Sequence, residues 1–155
     1  MLTPVKRKTS RSTGRSFAII ASRYNQRYVD AMLRAAQQTL RRAGGKFKVV
    51  RVPGAFEIPV VAARLARISS PPLAAIICLG VVLRGETVHA AHIGEAVSRA
   101  LMRLQLRYEI PVIHEVLLLE NEQQARVRCL GQKHNRGAEA AQTALAMAEV
   151  MAGLA

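Results

Sequence analysis

The chain has 155 residues, half of them hydrophobic, which is enough for one compact core and too few for two. Its two cysteines, Cys78 in an apolar run and Cys129 in a helical pattern, are far apart and belong to no CxxC or Cys/His cluster. That spacing suggests neither a disulfide framework nor a zinc site, and leaves two buried, reduced thiols.

The first apolar run, FAIIAS at 17–22, is short and continuous, as in a strand covered on both faces. Val29, Met32, Leu33, Ala36 and Leu40 then fall at helical spacing, and Gly44-Gly45 stops the helix. KFKVVRV at 46–52 reads as a second strand closed by Pro53-Gly54, and IPVVAARLARI as a helix ending at the breaker Ser-Ser-Pro-Pro, 69–72. A third strand, AAIICLGVV at 74–82, precedes a long helix from about Val88 to Tyr108, and PVIHEVLLL at 111–119 is the fourth strand. Asn121 with Gln124 resembles a capping box opening a helix, and Asn135 is placed to cap the alanine-rich last one. Strands alternating with helices predict an α/β three-layer sandwich, a four-stranded parallel sheet with helices on both faces, where ligands sit at the carboxyl ends of the strands.

The formal charge of +13 raises nucleic acid as a partner, but its distribution argues against it. Five of the 23 basic residues, Lys6, Arg7, Lys8, Arg11 and Arg15, precede the first apolar run, and the remaining excess is spread along several helices. The expectation is a basic tail at 1–15 and a single domain at 16–155, with a solvated basic surface. No apolar stretch approaches the roughly 20 residues of a membrane span, and no signal-peptide core is visible, so the default expectation is a cytoplasmic protein without a membrane partner.

Each unusual polar cluster follows a strand: SRYNQ at 22–26, PGAFEIP at 53–59, RGETVH at 84–89 and LEN at 119–121. They should share one rim. The turn Arg84-Gly85-Glu86-Thr87 lies where a strand hands over to a helix, whose free N–H groups can hold a phosphate, although such a turn is also an ordinary cap. His89 is either a proton carrier or a partly exposed helix residue. Tyr24 and Phe56 read as rim packing or as stacking platforms. Glu57 suits a helix N-terminus, and His114 reads as a packed histidine within a strand.

Taken together, SRYNQ, VPGAFEIP, LGVVLRGETVH and ENEQQARVRCLGQKHNRG resemble the 6,7-dimethyl-8-ribityllumazine synthases of riboflavin biosynthesis, in register from about residue 15 onward. The resemblance implies a flavodoxin-like fold. It also implies condensation of 5-amino-6-(D-ribitylamino)uracil with 3,4-dihydroxy-2-butanone 4-phosphate, releasing phosphate and water with no metal or other cofactor. By residue matching, His89 carries protons. Tyr24 packs on the pyrimidine with Asn25 beside it, and Ala55, Phe56 and Glu57 line the ribityl and uracil pocket. Val81, Val82 and Leu83 offer backbone groups to the ring. Gly85, Glu86 and Thr87 hold the phosphate with Arg128, whose guanidinium can grip it bidentately.

The resemblance further implies a homo-oligomer of pentamers with active sites between subunits, Arg128 and His114 reaching a site from different sides of a subunit boundary. Twelve pentamers close into a hollow shell in some members, and the short connection LGQKHNRG favours that form. Riboflavin synthase is the implied protein partner. The chain departs from the pattern after His89, where Ala90, Ala91 and His92 replace aromatic, acid, aromatic, and at His114, which replaces phenylalanine. Glu115, Leu118 and Leu119 also differ. These departures motivate an alternative, a flavin- or lumazine-binding paralogue with low activity, and the charge motivates a third, a basic scaffold for nucleic acid.

Overall fold

The computed structural model describes residues 2–5, 11–12 and 14–155. Lys6, Arg7 and Lys8 lie outside the described residues; elsewhere in the basic segment, Val5 N donates to Lys133 O (2.6 Å) and Ser12 N to Ala43 O (2.6 Å).

Strands and helices alternate: β1 (Ser16–Ser22), α1 (Gln26–Arg42), β2 (Lys46–Val52), a 3-10 turn (Ala55–Glu57), α2 (Ile58–Ile68), β3 (Ala75–Leu83), α3 (His89–Tyr108) and β4 (Val112–Leu119). A short α4 (Glu122–Ala125) runs into a π-helical turn (Arg126–Leu130) before α5 (Arg136–Gly153). The four strands form one sheet in the order β2-β1-β3-β4, all neighbours parallel. This is the three-layer α/β architecture expected from the alternation.

Period-2 geometry divides each strand between two cores. Phe17, Ile19, Ala21, Ala75, Ile77 and Leu79 pack with Val29, Met32, Leu40 of α1 and Ala140, Ala144, Leu145 of α5. Ala18, Ile20, Ile76 and Cys78 face the other way, onto Ile58, Ala62 and Leu65 of α2 and Val97 and Leu101 of α3. Cys78 and Cys129 are buried and free; burial pushes both thiols up to about 12, which keeps them protonated.

The helix ends follow from specific side chains. Gly44, at φ 76°, turns the chain after α1 in the left-handed region that favours glycine. Asn135 Oδ1 accepts from Gly137 N (2.9 Å) and Ala138 N (3.2 Å), as the sequence predicts, while its Nδ2 donates to Cys129 O (2.8 Å). At α4 the expected capping box is modified. Asn121 Oδ1 accepts from Gln124 N, but Gln124 Oε1 returns to Glu120 N, one residue before the cap, and only one α-turn forms before the backbone widens into the π turn.

The α1–α5 contact is close enough to restrict side chains. A Cβ on Gly137 would overlap the Met32 backbone carbonyl, and neither group can rotate away. Gly137→Ala should therefore destabilise the protein by about 2 kcal/mol or more, read as a lower midpoint in urea unfolding; an unchanged midpoint would mean that the two helices can separate freely.

Candidate active-site cleft

The carboxyl edge of the sheet opens into a cleft of about 900 Å³, lined by Tyr24, Asn25, Gly54, Ala55, Phe56, Glu57, Val81, Val82, Leu83, His89, His92, Ile93 and Ala96. Its position follows from the strand order. β1 is followed by a crossover to β2 on one side and β3 lies on its other side, so the sheet's connections diverge between β1 and β3, where such folds bind ligands.

The register shapes the floor. Pairing of β1 with β3 ends at Ala21↔Leu79, whereas β3 stays paired with β4 as far as Leu83↔Leu119. The last residues of β3 thus overhang β1 and leave one backbone edge toward the cleft. Arg84 N donates to Leu119 O, so residue 84, and by alternation residue 82, directs its backbone to β4. Residues 81 and 83 direct theirs to the open side, where Asn25 Nδ2 donates to Val81 O (2.7 Å). The three residues expected to offer backbone groups therefore differ in the direction they face. Val81 and Leu83 present main chain, with the Val81 carbonyl already engaged, and Val82 presents its side chain on the α2/α3 side.

Asn25 is held by the turn it makes. It caps α1 with φ 55° and ψ 43°, a left-handed conformation that asparagine adopts more readily than most residues, and its amide ties the start of α1 to the end of β3. Arg51 completes this corner from β2, pairing with Asp30 (2.7 Å) and donating to Ser22 O (3.1 Å). Across the cleft, Glu57 Oε2 accepts from Gly54 N (3.0 Å), which folds Pro53-Gly54-Ala55 into a tight lip. Tyr24 beside that lip is 73% exposed and Phe56 61% exposed. Rings this open stand at the rim rather than in the core.

His89 is the first residue of α3, and its backbone N–H faces Thr87 Oγ1 at 3.4 Å. Nine residues expected from the sequence thus meet in one cleft. Gly54, Ile93 and Ala96 join them without having been singled out, although the helical repeat from His89 carries Ile93 and Ala96. His92, noted only as a departure, also lines it. Gly85, Glu86 and Thr87 form the exposed turn ahead of α3 and are not part of the lining.

His114 and Arg128 stand apart from this chain's cleft. His114 Nδ1 accepts from Val116 N (3.2 Å), so its Nε2 carries the proton toward Ser98 Oγ (2.7 Å), which donates on to Gly94 O (2.8 Å). Desolvation lowers its pKa, and the accepting Nδ1 is consistent with a neutral ring. Arg128 lies in the π turn beside α1 and α5, with Nη1 directed at Gln124 O (3.5 Å). Neighbouring Glu115 is buried; burial pushes its carboxyl up, and the two bonds from Arg136 (3.1 and 3.2 Å) pull it down. Among the described residues no group of three His, Cys, Asp or Glu converges on a metal position, and no helix is long and apolar enough to cross a membrane.

Residues 14–152 match the family described as 6,7-dimethyl-8-ribityllumazine synthase. A protein of that name from Stenotrophomonas maltophilia (strain R551-3) is 42% identical over 138 residues, covering 87% of this chain and 88% of its own. Its counterpart in Xanthomonas euvesicatoria pv. vesicatoria (strain 85-10) is 41% identical over 144 residues, covering 91% and 92%. One from Xanthomonas campestris pv. campestris (strain B100) is 42% identical over the same length.

Two outcomes test this geometry. Asn25→Gly keeps the left-handed turn but removes the amide, and should cost about 1 kcal/mol; Asn25→Ala loses both and should cost about 2 kcal/mol or more, measured by urea unfolding. Equal costs would mean that the turn conformation contributes nothing. Because His114 takes its proton less readily folded than unfolded, stability should fall as pH drops below the ordinary histidine range. His114→Phe should flatten that fall in a series of melting temperatures against pH.

Proposed function

The chain belongs to the 6,7-dimethyl-8-ribityllumazine synthase family, and we propose that it carries out the family's condensation in the cleft at the carboxyl edge of its sheet. The reaction joins 5-amino-6-(D-ribitylamino)uracil to 3,4-dihydroxy-2-butanone 4-phosphate, a transferase step of riboflavin biosynthesis that releases phosphate and water. The observation that carries this assignment is the convergence of His89 with Tyr24, Asn25, Phe56 and Glu57 around the overhanging end of β3.

In this reading the pyrimidine lies against Tyr24 and along the end of β3, where the Leu83 backbone faces the cleft and the Val81 carbonyl is held by Asn25. Ala55, Phe56 and Glu57 border the ribityl chain. The amine attacks the butanone carbonyl, water leaves to give an imine, phosphate is eliminated, and ring closure with a second dehydration yields the product. His89, exposed on the cleft wall, moves protons between these steps. The turn Gly85-Glu86-Thr87 presents the amino end of α3 to the phosphate, with the Glu86 carboxylate turned away.

The same reading requires an oligomer. Arg128 and His114 lie outside their own chain's cleft, so as site residues they serve a neighbour, Arg128 holding phosphate and His114 packing on the ring. Val88, Met102, Leu106 and Leu118 are exposed apolar side chains on or beside α3 and β4, the composition that a buried subunit boundary has at its centre. Pentamers, their closure into a shell, a cytoplasmic location and delivery of product to riboflavin synthase are part of this proposal.

The test is the appearance of lumazine absorbance when purified protein meets both substrates. His89→Ala should slow turnover about 100-fold with a smaller change in KM. Arg128→Ala should raise KM for the phosphorylated butanone about tenfold or more. Product binding without product formation by the unaltered protein would overturn the assignment.

A further inference from the structure

Four residues of α3 line the cleft: His89, His92, Ile93 and Ala96. Their spacing of i, i+3, i+4 and i+7 makes them one stripe on one face of the helix. Ala91 falls outside this stripe and is exposed, while Ala90 is buried. The residues that follow His89 therefore carry unequal weight. Alanine at 91 leaves the cleft wall unaltered, whereas position 92 sets a second imidazole on that wall one helical turn from the first. Backbone bonding fixes the base of His92, whose N–H donates to Val88 O (3.2 Å), and its side chain is left on the exposed side of the helix.

We propose that His92 is a catalytic residue, the second of two proton carriers that work on the bound intermediate together with His89. This rests on the condensation assigned above. Joining the two substrates expels phosphate and two waters, and each departure requires a proton to reach or leave a different atom of the same molecule. An imidazolium that donates to the leaving oxygen has both ring nitrogens protonated and no lone pair with which to accept a proton in the same step. Two imidazoles one turn apart can divide those tasks.

In the first dehydration the carbinolamine C–O bond breaks and its oxygen leaves as water with a proton from one imidazolium. The nitrogen lone pair closes the C=N bond, and the N–H proton passes to the other, neutral imidazole. The pair has exchanged protonation states and is set for the reverse transfer. In phosphate elimination the carbon beside C=N gives its proton to a neutral imidazole, and the electrons move onto nitrogen. They return to expel phosphate, the C–O bond breaking with both electrons on the departing oxygen, which takes a proton from the other imidazolium and leaves the pair again with one neutral ring. The other titratable groups lining the cleft are less suited to this exchange: Glu57 is committed to Gly54 N, and Tyr24 stands at the rim. Glu95, one turn further along α3, pairs with Arg99.

The experiment compares kcat and KM for both substrates, between about pH 5.5 and 9, in the unaltered protein, His92→Gln and His92→Phe. Glutamine keeps a polar, hydrogen-bonding side chain and phenylalanine keeps a ring, but neither carries a proton. Both should lower kcat about tenfold to hundredfold, leave KM within about threefold, and remove one limb of the kcat–pH profile. Unchanged kcat, a change in KM alone with both limbs retained, or a loss confined to one of the two variants would overturn the role. Folding is verified by circular dichroism, and His92→Asn, with the same expected loss, replaces a variant that fails. Absence of product from the unaltered protein sinks the condensation reading itself; an active protein with unimpaired His92 variants sinks only the inference about His92.

Discussion

A parallel sheet covered on both faces must return every crossover over one face or the other. Where successive crossovers take opposite faces, the neighbouring strand ends lose a common covering element. In the order β2-β1-β3-β4 that divergence falls between β1 and β3, and the features of the cleft depend on it. Because β3 outruns β1 there, a strip of main chain is left without a ladder partner at the edge of an otherwise closed core. The strip is polar, fixed in direction by the rest of β3, and borders the cleft. A planar, hydrogen-bonding ring is a suitable occupant because the donors and acceptors are already held in place.

The residues around the strip are tied to different elements, which keeps the cleft open without making it loose. Asn25 joins α1 to β3, Arg51 joins β2 to α1 and to the end of β1, and Glu57 folds the lip after β2 onto itself. Each bond pairs a polar group that would otherwise be partly desolvated, so removing one partner costs more than the bond contributes by itself. On the far side of β4, Glu115 and Arg136 link the sheet to α5 in a similar way. There the balance is closer, since burial disfavours the carboxylate while the guanidinium favours it.

Most elements were legible in the sequence because their signals are local. Continuous apolar runs identified β1 and β3, helical spacing of Val29, Met32 and Leu33 identified α1, and Asn135 marked the start of α5 through a side chain that reaches only two or three residues. The clearest local difference is the stretch after Asn121, where a capping pattern opens one α-turn and then a π turn. No periodicity in Arg126–Leu130 distinguishes these two windings, because they differ by a fraction of a residue per turn.

The sequence by itself determined the kinds and order of the elements, the placement of polar clusters after strands, and the family to which those clusters point. These are properties of single segments, written in burial patterns and short motifs. Only the tertiary structure decided which strands are neighbours and how far β3 runs past β1. It also decided that Val82 shows a side chain to the cleft where Val81 and Leu83 show backbone, that His92 enters the cleft while Ala91 does not, and that His114 and Arg128 stand outside it. Each of these depends on the register between segments distant in the chain, and that register is set by packing across the whole sheet rather than by any residue's own neighbours.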